Sequence, residues 1–224
     1  MVIDKQYKKL ISREVLFLAA FALISGLLFV WLAQEVVIKQ NDLFDTLAFN
    51  YFQQWVSPTN TTIARIVTRG GSDVFLIVIY LWVLYYLLRN TYKRQAVQLV
   101  IIVSASFLWS TLLKQFFHRP RPSLPHLDYV ISYSFPSGHT LSTFTLFGIL
   151  AWLAFKSKRH FAIKLTATVA LFLYACLIGI SRIYLHVHYL SDVLAGACFA
   201  LCWLAISAIV INLTEQTYFK NRKG

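Results

Sequence analysis

Charged side chains are scarce in this sequence. Only 13% of its 224 residues are Asp, Glu, Lys or Arg, whereas 58% are hydrophobic. Soluble domains carry roughly 25% charged residues, so the composition excludes an ordinary soluble domain and indicates a membrane protein. We find no repeat, low-complexity segment or linker, and we therefore expect residues 1–224 to form a single membrane domain.

Cysteines are also few, and their positions argue against the usual cysteine-based sites. Cys176, Cys198 and Cys202 all lie inside apolar runs. Their number is odd and their spacing lacks the pairs typical of a metal site. We interpret them as small residues that face the protein core or lipid, and they give no indication of the redox compartment.

Acidic residues are outnumbered, with 9 Asp and Glu against 21 Lys and Arg, and the net charge is +12. Such a balance can indicate nucleic-acid binding, but in polytopic proteins Lys and Arg often hold cytoplasmic loops against anionic lipid. We therefore expect membrane lipids, not nucleic acid, as partners. The polar stretches described below lack a carboxylate cluster of the kind that binds magnesium, so no metal or other cofactor is predicted.

Long apolar runs are what the sequence has in abundance. Six runs contain no charged residue, and we predict that each spans the membrane as a helix, the shorter ones with the help of flanking aromatic and basic side chains. A cleavable signal peptide is the alternative for the first run. The runs are residues 15–34, 74–88, 96–113, 140–155, 165–180 and 193–213.

Residues 35–72 are too polar to span a membrane. Apolar side chains recur at helical spacing over residues 43–56, with polar residues such as Asp42 and Asp45 on the other side. This pattern predicts an extracytoplasmic amphipathic helix on the membrane surface. A helix that packs on the bundle with its polar side in solvent is the alternative. The glycines at 70–71 are expected to break the chain.

Basic residues are distributed unevenly between the two sets of loops. Two thirds of the 21 Lys and Arg fall in the tail 1–14, the loops 89–95 and 156–164, and the tail 214–224. By the positive-inside rule these segments are cytoplasmic, which puts both termini inside. Three polar stretches at the opposite ends of the spans then lie on the extracytoplasmic face.

The first polar stretch follows the third span and is rich in cations. It contains Lys114, Arg119 and Arg121, with Pro120 and Pro122 beside the arginines. Cations on a chain stiffened by proline suit a fixed anion site. Contact with lipid headgroups is the alternative, although the positive-inside rule disfavours basic clusters on the outer face.

The second stretch precedes the fourth span and contains Ser137, Gly138 and His139. A glycine permits close approach of the backbone, and the first N–H groups of a helix can bind an anion together with a serine hydroxyl. His139 would then be placed to donate a proton to a leaving group. An ordinary helix N-cap with a surface histidine is the alternative.

The third stretch lies between the last two spans and contains Arg182, His188 and Asp192. On a helix, residues four apart share a face, so the Asp192 carboxylate could hold one imidazole nitrogen of His188 and leave the other free to attack phosphorus. Arg182 adds donors suited to phosphate oxygens. A structural ion pair that caps a membrane helix is the alternative.

In order and spacing, the three stretches together resemble the motifs of the type 2 phosphatidic acid phosphatase (PAP2) family. The resemblance implies an all-α polytopic membrane protein of six transmembrane helices, with a helical core like that of bacterial acid phosphatases and vanadium haloperoxidases. It also implies metal-independent hydrolysis of phosphate esters. The matching positions, within residues 114–192, are Lys114, Arg121-Pro122, Pro136-Ser137-Gly138-His139, Ser181-Arg182, His188 and Asp192.

The resemblance also assigns roles to these residues. His188 would attack phosphorus to form a phosphohistidine, Asp192 would orient its ring, and His139 would protonate the leaving oxygen. Arg119 lies outside the family spacing and is not included, and His118 and His126 are weaker candidates at the entrance. The expected phosphate-binding residues are Lys114, Arg121, Ser137, Gly138 and Arg182.

A lipid phosphate is the expected substrate, because a site at the membrane interface receives a headgroup while the tail stays in the bilayer. Undecaprenyl diphosphate, phosphatidylglycerophosphate and phosphatidic acid all qualify. A phosphotransferase that uses the same histidine is one alternative, and a non-catalytic transporter of anionic lipids is another. The sequence does not indicate the oligomeric state.

Overall fold

The computed structural model describes residues 13–221, with side chains described up to residue 214. All regular structure in this part of the chain is helical. Of the predicted tails, 1–14 and 214–224, residues 1–12 and 222–224 lie outside the described residues. The helices are α1 (Arg13–Ala33, extended by a π-helical turn Gln34–Ile38), α2 (Leu43–Gln53), α3 (Pro58–Arg69), α4 (Asp73–Arg89), α5 (Lys93–Phe117), α6 (Gly138–Lys156), α7 (Phe161–Tyr184) and α8 (Leu190–Asn221).

The prediction of six spanning helices is confirmed. Six segments of the described chain are long and apolar enough to cross a membrane. The second of them includes α3 as well as the predicted apolar run, and the turn at Gly70 and Gly71 lies within it. The segments are Arg13–Ile38, Pro58–Arg89, Lys93–Phe117, Gly138–Lys156, Phe161–Tyr184 and Leu190–Thr214.

The segment 35–72 differs from its sequence prediction in two ways. The helix predicted over 43–56 ends at Gln53, and a second helix, α3, packs on α7. Asp45, assigned to the polar outer side, is only 1% exposed, whereas the neighbouring Phe44 is 62% exposed. The helix is therefore turned so that its carboxylate enters the bundle, where it has hydrogen-bond partners described below.

The interior of the bundle is a cluster of aliphatic side chains from α4 to α7, including Leu76, Leu99, Leu146 and Ile178. Many large apolar side chains lie on the outside instead, among them Trp82, which is 69% exposed. An apolar exterior of this extent fits the hydrocarbon of a bilayer, where no water penalises it.

Helix α8 packs along α1 and α6 and begins at the same end of the bundle as α6. Close packing at this end depends on Gly196 of α8. A Cβ atom at this position would lie 2.8 Å from the carbonyl oxygen of Ser137. Small residues of this kind let membrane helices approach each other, and here the approach brings the start of α8 against the start of α6.

Candidate active site

The ends of α5 and α7 and the starts of α4, α6 and α8 meet at one end of the bundle, around a cavity of about 750 Å³. The loop 118–137 closes over it. Six of the eight residues predicted for the site line this cavity, and they come from all three polar stretches. They are Lys114, Arg121, Gly138, His139, Arg182 and His188.

Hydrogen bonds hold the covering loop in place. The backbone N–H of Leu127 donates to the carbonyl of Leu185 over 3.0 Å, and the N–H of Ser134 donates to the carbonyl of Arg119 over 2.9 Å. Nζ of Lys114 donates to Oγ of Ser132 over 2.9 Å. The loop is therefore anchored both to itself and to the helices that carry the cationic side chains.

His188 is 1% exposed and lies in the short turn between α7 and α8. Its Nδ1 is 3.3 Å from Oδ2 of Asp192. Its Nε2 is 3.4 Å from a terminal nitrogen of Arg121, one of the side chains that line the cavity. One ring nitrogen is thus held by a carboxylate, while the other lies among cations suited to phosphate.

The contact between His188 and Asp192 does not come from a shared helical face, as the sequence suggested. His188 precedes α8, and Asp192 lies in the first turn of that helix. The Asp192 carboxylate accepts the backbone N–H of Tyr189 over 3.0 Å. Asp192 is the third residue of α8 and Tyr189 is its N-cap, so this is the side-chain-to-backbone hydrogen bond of a capping box. It brings the carboxylate beside His188.

Burial and the cations around it depress the pKa of His188 well below its ordinary value. Burial is the larger cause, and the positive charges of Arg121, Lys114 and Arg182 act in the same direction. The imidazole is therefore neutral at physiological pH. A neutral imidazole has the lone pair that a nucleophile requires.

Arg121 is fixed by backbone oxygens. Its Nε donates to the carbonyl of Ser132 over 2.6 Å, and a terminal nitrogen donates to the carbonyl of Val187. Burial, followed by the like charge of Arg182, lowers its pKa to about 10, so the guanidinium still carries its charge at neutral pH. A guanidinium held in this way presents fixed donors to an anion in the cavity.

Arg182 contributes a second guanidinium from the end of α7. One terminal nitrogen donates to Oγ1 of Thr68 over 2.8 Å and to a carboxylate oxygen of Asp128 over 3.0 Å. Its Nε is buried and has no acceptor among the side chains and backbone that the structure describes. A buried donor without an acceptor is costly, and an anionic ligand in the cavity would satisfy it.

The start of α6 supplies two lining residues, Gly138 and His139. A Cβ atom on Gly138 would lie 2.9 Å from Oγ of Ser110 and 3.6 Å from Cε of Lys114, so the glycine lets the backbone approach the cationic side chain. Ser137 does not line the cavity. It is fully buried, its N–H donates to the carbonyl of Asp192 over 3.0 Å, and its Oγ accepts from Thr140 over 3.0 Å.

Asp192, like Ser137, lies behind the cavity wall, and it is fully buried. Three side chains that were not predicted for the site form one hydrogen-bonded cluster with it. Ser134 donates to Oδ2 of Asp192, and Arg119 donates to Oδ1 over 2.7 Å. Asp45 accepts from the other end of the same guanidinium over 2.8 Å.

A signal for two of these residues was present in the sequence. Arg119 stands two residues before Arg121 in a loop that the distribution of Lys and Arg predicted to be extracytoplasmic, where the positive-inside rule disfavours cations. Asp45 is the one acidic residue in the mostly apolar segment 43–52, and an isolated carboxylate within a membrane protein often has a functional partner. Asp73, at the start of α4, also lines the cavity and was not predicted.

Comparison with known proteins identifies the family. The model of the PAP2 superfamily matches residues 95–215, more than half of the chain. Phosphatidylglycerophosphatase B of Bacillus subtilis (strain 168) is 29% identical over 149 residues, which cover 64% of this chain and 70% of that protein.

Two solved structures resemble the fold. A transmembrane PAP2-type phosphatidylglycerolphosphate phosphatase from Bacillus subtilis superposes with a TM-score of 0.76 at 22% identity, over 84% of this chain and 94% of that one. LpxE of Aquifex aeolicus gives a TM-score of 0.56 at 28% identity, over 71% and 92% respectively. Since the family match spans both Lys114 and Asp192, this chain belongs to the PAP2 superfamily and is a membrane lipid phosphatase, a hydrolase of phosphoric esters.

Proposed function

We propose that the chain hydrolyses a lipid phosphate through a phosphohistidine on His188, without a metal ion. The observation that carries this proposal is the orientation of the His188 ring. Asp192 lies 3.3 Å from Nδ1, and Nε2 lies beside Arg121 in the wall of the cavity. With its proton on Nδ1, the ring presents the Nε2 lone pair to a phosphorus atom bound there.

The reaction then has two steps. In the first, Nε2 of His188 forms a bond to phosphorus as the bond to the leaving oxygen breaks, and His139 gives its proton to that oxygen. In the second, His139 takes a proton from water, the water oxygen attacks phosphorus, and the P–N bond breaks to release inorganic phosphate. Asp192 stabilises the positive charge that develops on the His188 ring.

Negative charge on the transferred group is balanced by the cations of the cavity. Lys114, Arg121 and Arg182 line it from three different elements, and Gly138 adds the N-terminal end of α6. Fixed donors of this kind stabilise the equatorial oxygens in phosphoryl transfer. Among the described residues, no three His, Cys, Asp or Glu side chains form a group that could hold a metal ion. Ser137 acts indirectly, by supporting the start of α6 from behind.

The substrate we favour is phosphatidylglycerophosphate, the lipid in the name of the curated relative from Bacillus subtilis. The cavity lies at one end of the apolar bundle, so a headgroup bound in it would leave the acyl chains among the exposed apolar side chains. Undecaprenyl diphosphate and phosphatidic acid share the terminal phosphate that the cations recognise.

The cavity lies on the extracytoplasmic face of the plasma membrane, and residues 1–224 form one membrane domain with both termini inside. The distribution of Lys and Arg supports this orientation, because the loops 89–95 and 156–164 lie at the end of the bundle away from the cavity. A C-terminal GFP fusion tests it. Fluorescence is expected for a cytoplasmic C-terminus, and a fusion that is exported and stays dark would contradict it.

Phosphate release from a panel of lipid phosphates tests the activity. The detergent-purified protein is assayed in EDTA, with His188→Ala as the test variant and His160→Ala as the control, because His160 is exposed in a distant loop. We expect release by the wild type and the control only. Activity of His188→Ala would reject the nucleophile, dependence on added metal would reject the metal-independent step, and transfer to an added alcohol without phosphate release would favour the phosphotransferase.

A further inference from the structure

A single guanidinium joins the orienting carboxylate to a second buried carboxylate. One terminal nitrogen of Arg119 donates to Oδ1 of Asp192 over 2.7 Å, and the other donates to Oδ2 of Asp45 over 2.8 Å. Asp45 is 1% exposed and Arg119 is 7% exposed. The two carboxylates therefore share one cation in a place that solvent barely reaches.

Asp45 is also fixed to the start of α8. Its Oδ1 accepts the backbone N–H of Ser191 over 2.8 Å, and its Oδ2 accepts the Ser191 hydroxyl over 2.6 Å. The same hydroxyl accepts from Arg119 over 2.8 Å. Because Ser191 directly precedes Asp192, helix α2 is connected to the catalytic carboxylate both through the backbone and through the guanidinium.

The ring of Tyr189 covers the guanidinium of Arg119, with the carbon of that group 4.0 Å from the ring centre. Burial acts to lower the pKa of Arg119, but the carboxylates of Asp192 and Asp45 outweigh it and raise the pKa above its ordinary value. The cation therefore keeps its charge and cannot release a proton to either carboxylate.

The charges of this cluster explain why a second carboxylate is needed. If Arg119 were paired with Asp192 alone, the pair would be neutral and would offer little stabilisation to positive charge on His188. Two carboxylates and one guanidinium leave one net negative charge beside the imidazole. In a buried site of low dielectric this difference acts strongly on a ring that becomes positive during the reaction.

We propose that Asp45 is a positioning residue for catalysis, which acts through Arg119 to hold Asp192 in place and to keep the cluster of Asp45, Arg119 and Asp192 net negative as His188 is phosphorylated. This inference rests on the proposed function of His188. It assigns a role to helix α2, which contributes no residue to the cavity of the active site.

The charge effect predicts an unusual combination of changes in Asp45→Asn. The asparagine keeps the size of the side chain but removes a negative charge, so positive charge on His188 becomes less favourable. We expect kcat to fall about 10- to 100-fold, the range typical of groups that orient a catalytic residue from behind, with KM within about twofold. Protonation of His188 also becomes harder, so the acid limb of the kcat/KM profile should move to lower pH.

A merely structural role for Asp45 predicts the opposite shift. Loosened packing would admit water to His188, and its acid limb would then move upward, toward the pH of an ordinary histidine near 6.5. The charged and titratable groups that face the His188 ring are the same in the wild type and in Asp45→Asn. They therefore cannot produce a difference in acid limb between these two proteins. They are Arg121 from the covering loop, Lys114 from α5, His139 from α6, Arg182 from α7 and Asp192 from α8.

The experiment compares phosphate release by Asp45→Asn, Asp42→Asn and His188→Ala across pH in detergent, with thermal unfolding of each variant. Asp42 precedes the same helix and is exposed, so its variant controls for loss of charge on α2. We expect wild-type kinetics for Asp42→Asn. An inactive His188→Ala combined with unchanged kcat in Asp45→Asn would overturn this inference alone, whereas an active His188→Ala would overturn the proposed function.

A double-mutant cycle tests whether Asp45 acts through Arg119. By the charges of the cluster, the double variant Asp45→Asn with Arg119→Gln again carries one net negative charge beside His188, so its acid limb should return toward the wild-type pH, whereas the limb of Arg119→Gln alone should move to higher pH. A double variant whose acid limb stays as low as that of Asp45→Asn would contradict the charge account and overturn the inference. An upward shift of the acid limb in Asp45→Asn, accompanied by a lower Tm, would assign the residue a structural role only.

Discussion

Nδ1 of His188 lies 3.3 Å from Oδ2 of Asp192, although only the aspartate belongs to helix α8. The aspartate reaches back over the N-terminus of the helix and accepts the N–H of Tyr189 with the same oxygen. The carboxylate proposed to orient the nucleophile therefore also caps α8, the helix to which it belongs. One oxygen of Asp192 serves both the helix cap and the contact with His188.

Replacement of Asp192 by asparagine tests the orienting role. The new side chain would offer an amide where Nδ1–H needs an acceptor, so the ring would lose its preferred tautomer and the stabilisation of its positive charge. We expect kcat to fall by about 10³- to 10⁴-fold, the range seen when a catalytic His loses its carboxylate, with a much smaller change in KM. Steady-state kinetics at wild-type speed would contradict the role.

The depressed pKa of His188 predicts activity in mildly acidic solution. In the proposed mechanism only the neutral imidazole attacks, so a lower pKa of His188 moves the loss of activity to lower pH, and the acid limb of kcat/KM should lie below about 6.5. A phosphate monoester has its own second ionisation near pH 6, so a variant is needed to separate the two.

Arg121→Gln provides that separation. It removes a cation 3.4 Å from Nε2, which should raise the pKa of His188 and move its limb to higher pH. An acid limb caused by ionisation of the substrate phosphate would stay at the same pH in this variant. An unshifted profile in this variant would therefore contradict the assignment of the acid limb to His188.

The proposed role of His139 predicts a dependence on the leaving group. A poor leaving group such as the alcohol of a lipid needs a proton as it departs, whereas p-nitrophenolate does not. We expect His139→Gln to lose about 10²- to 10⁴-fold in kcat/KM on a lipid phosphate and far less on p-nitrophenyl phosphate. Equal losses on both substrates would mean that His139 is not the acid.

Gly196 predicts a stability effect that is independent of chemistry. In Gly196→Ala the new Cβ would lie 2.8 Å from the carbonyl oxygen of Ser137. A backbone oxygen cannot move away as easily as the end of a flexible side chain. Overpacking of this kind costs about 1–3 kcal/mol, so the Tm in detergent should fall. Gly26→Ala in α1 is the control, because its Cβ would meet only Cys202 at 3.4 Å. Equal Tm values would contradict the account of helix packing.

Much of this protein could be predicted from its sequence, because the signals are local. Uncharged apolar runs predicted the six spans, and residues such as His188 and Arg182 stood out because charge between apolar runs needs a reason. The order and spacing of the three motifs indicated the family before any contact between them was known.

What escaped prediction depends on contacts between distant segments. Asp45 and Arg119 are 74 residues apart, and neither position alone indicates that they meet behind Asp192. Ser137 was expected to face the phosphate, but it is fully buried behind the cavity wall, where Gly196 of α8 packs against its carbonyl oxygen. Helical periodicity also misassigned Asp45, since a carboxylate with buried partners can occupy an inward position that the pattern gives to apolar residues.

The most direct measurement is the trapping of the phosphoenzyme. Brief incubation with substrate labelled with ³²P at the terminal phosphate, followed by denaturation, should leave label on the wild-type protein in a bond that is stable to base and labile to acid, as for a phosphohistidine. Asp192→Asn should be labelled more slowly, and His188→Ala should carry no label. Labelling of His188→Ala, or rapid turnover by the wild type with no trapped label at any quench time, would contradict the account.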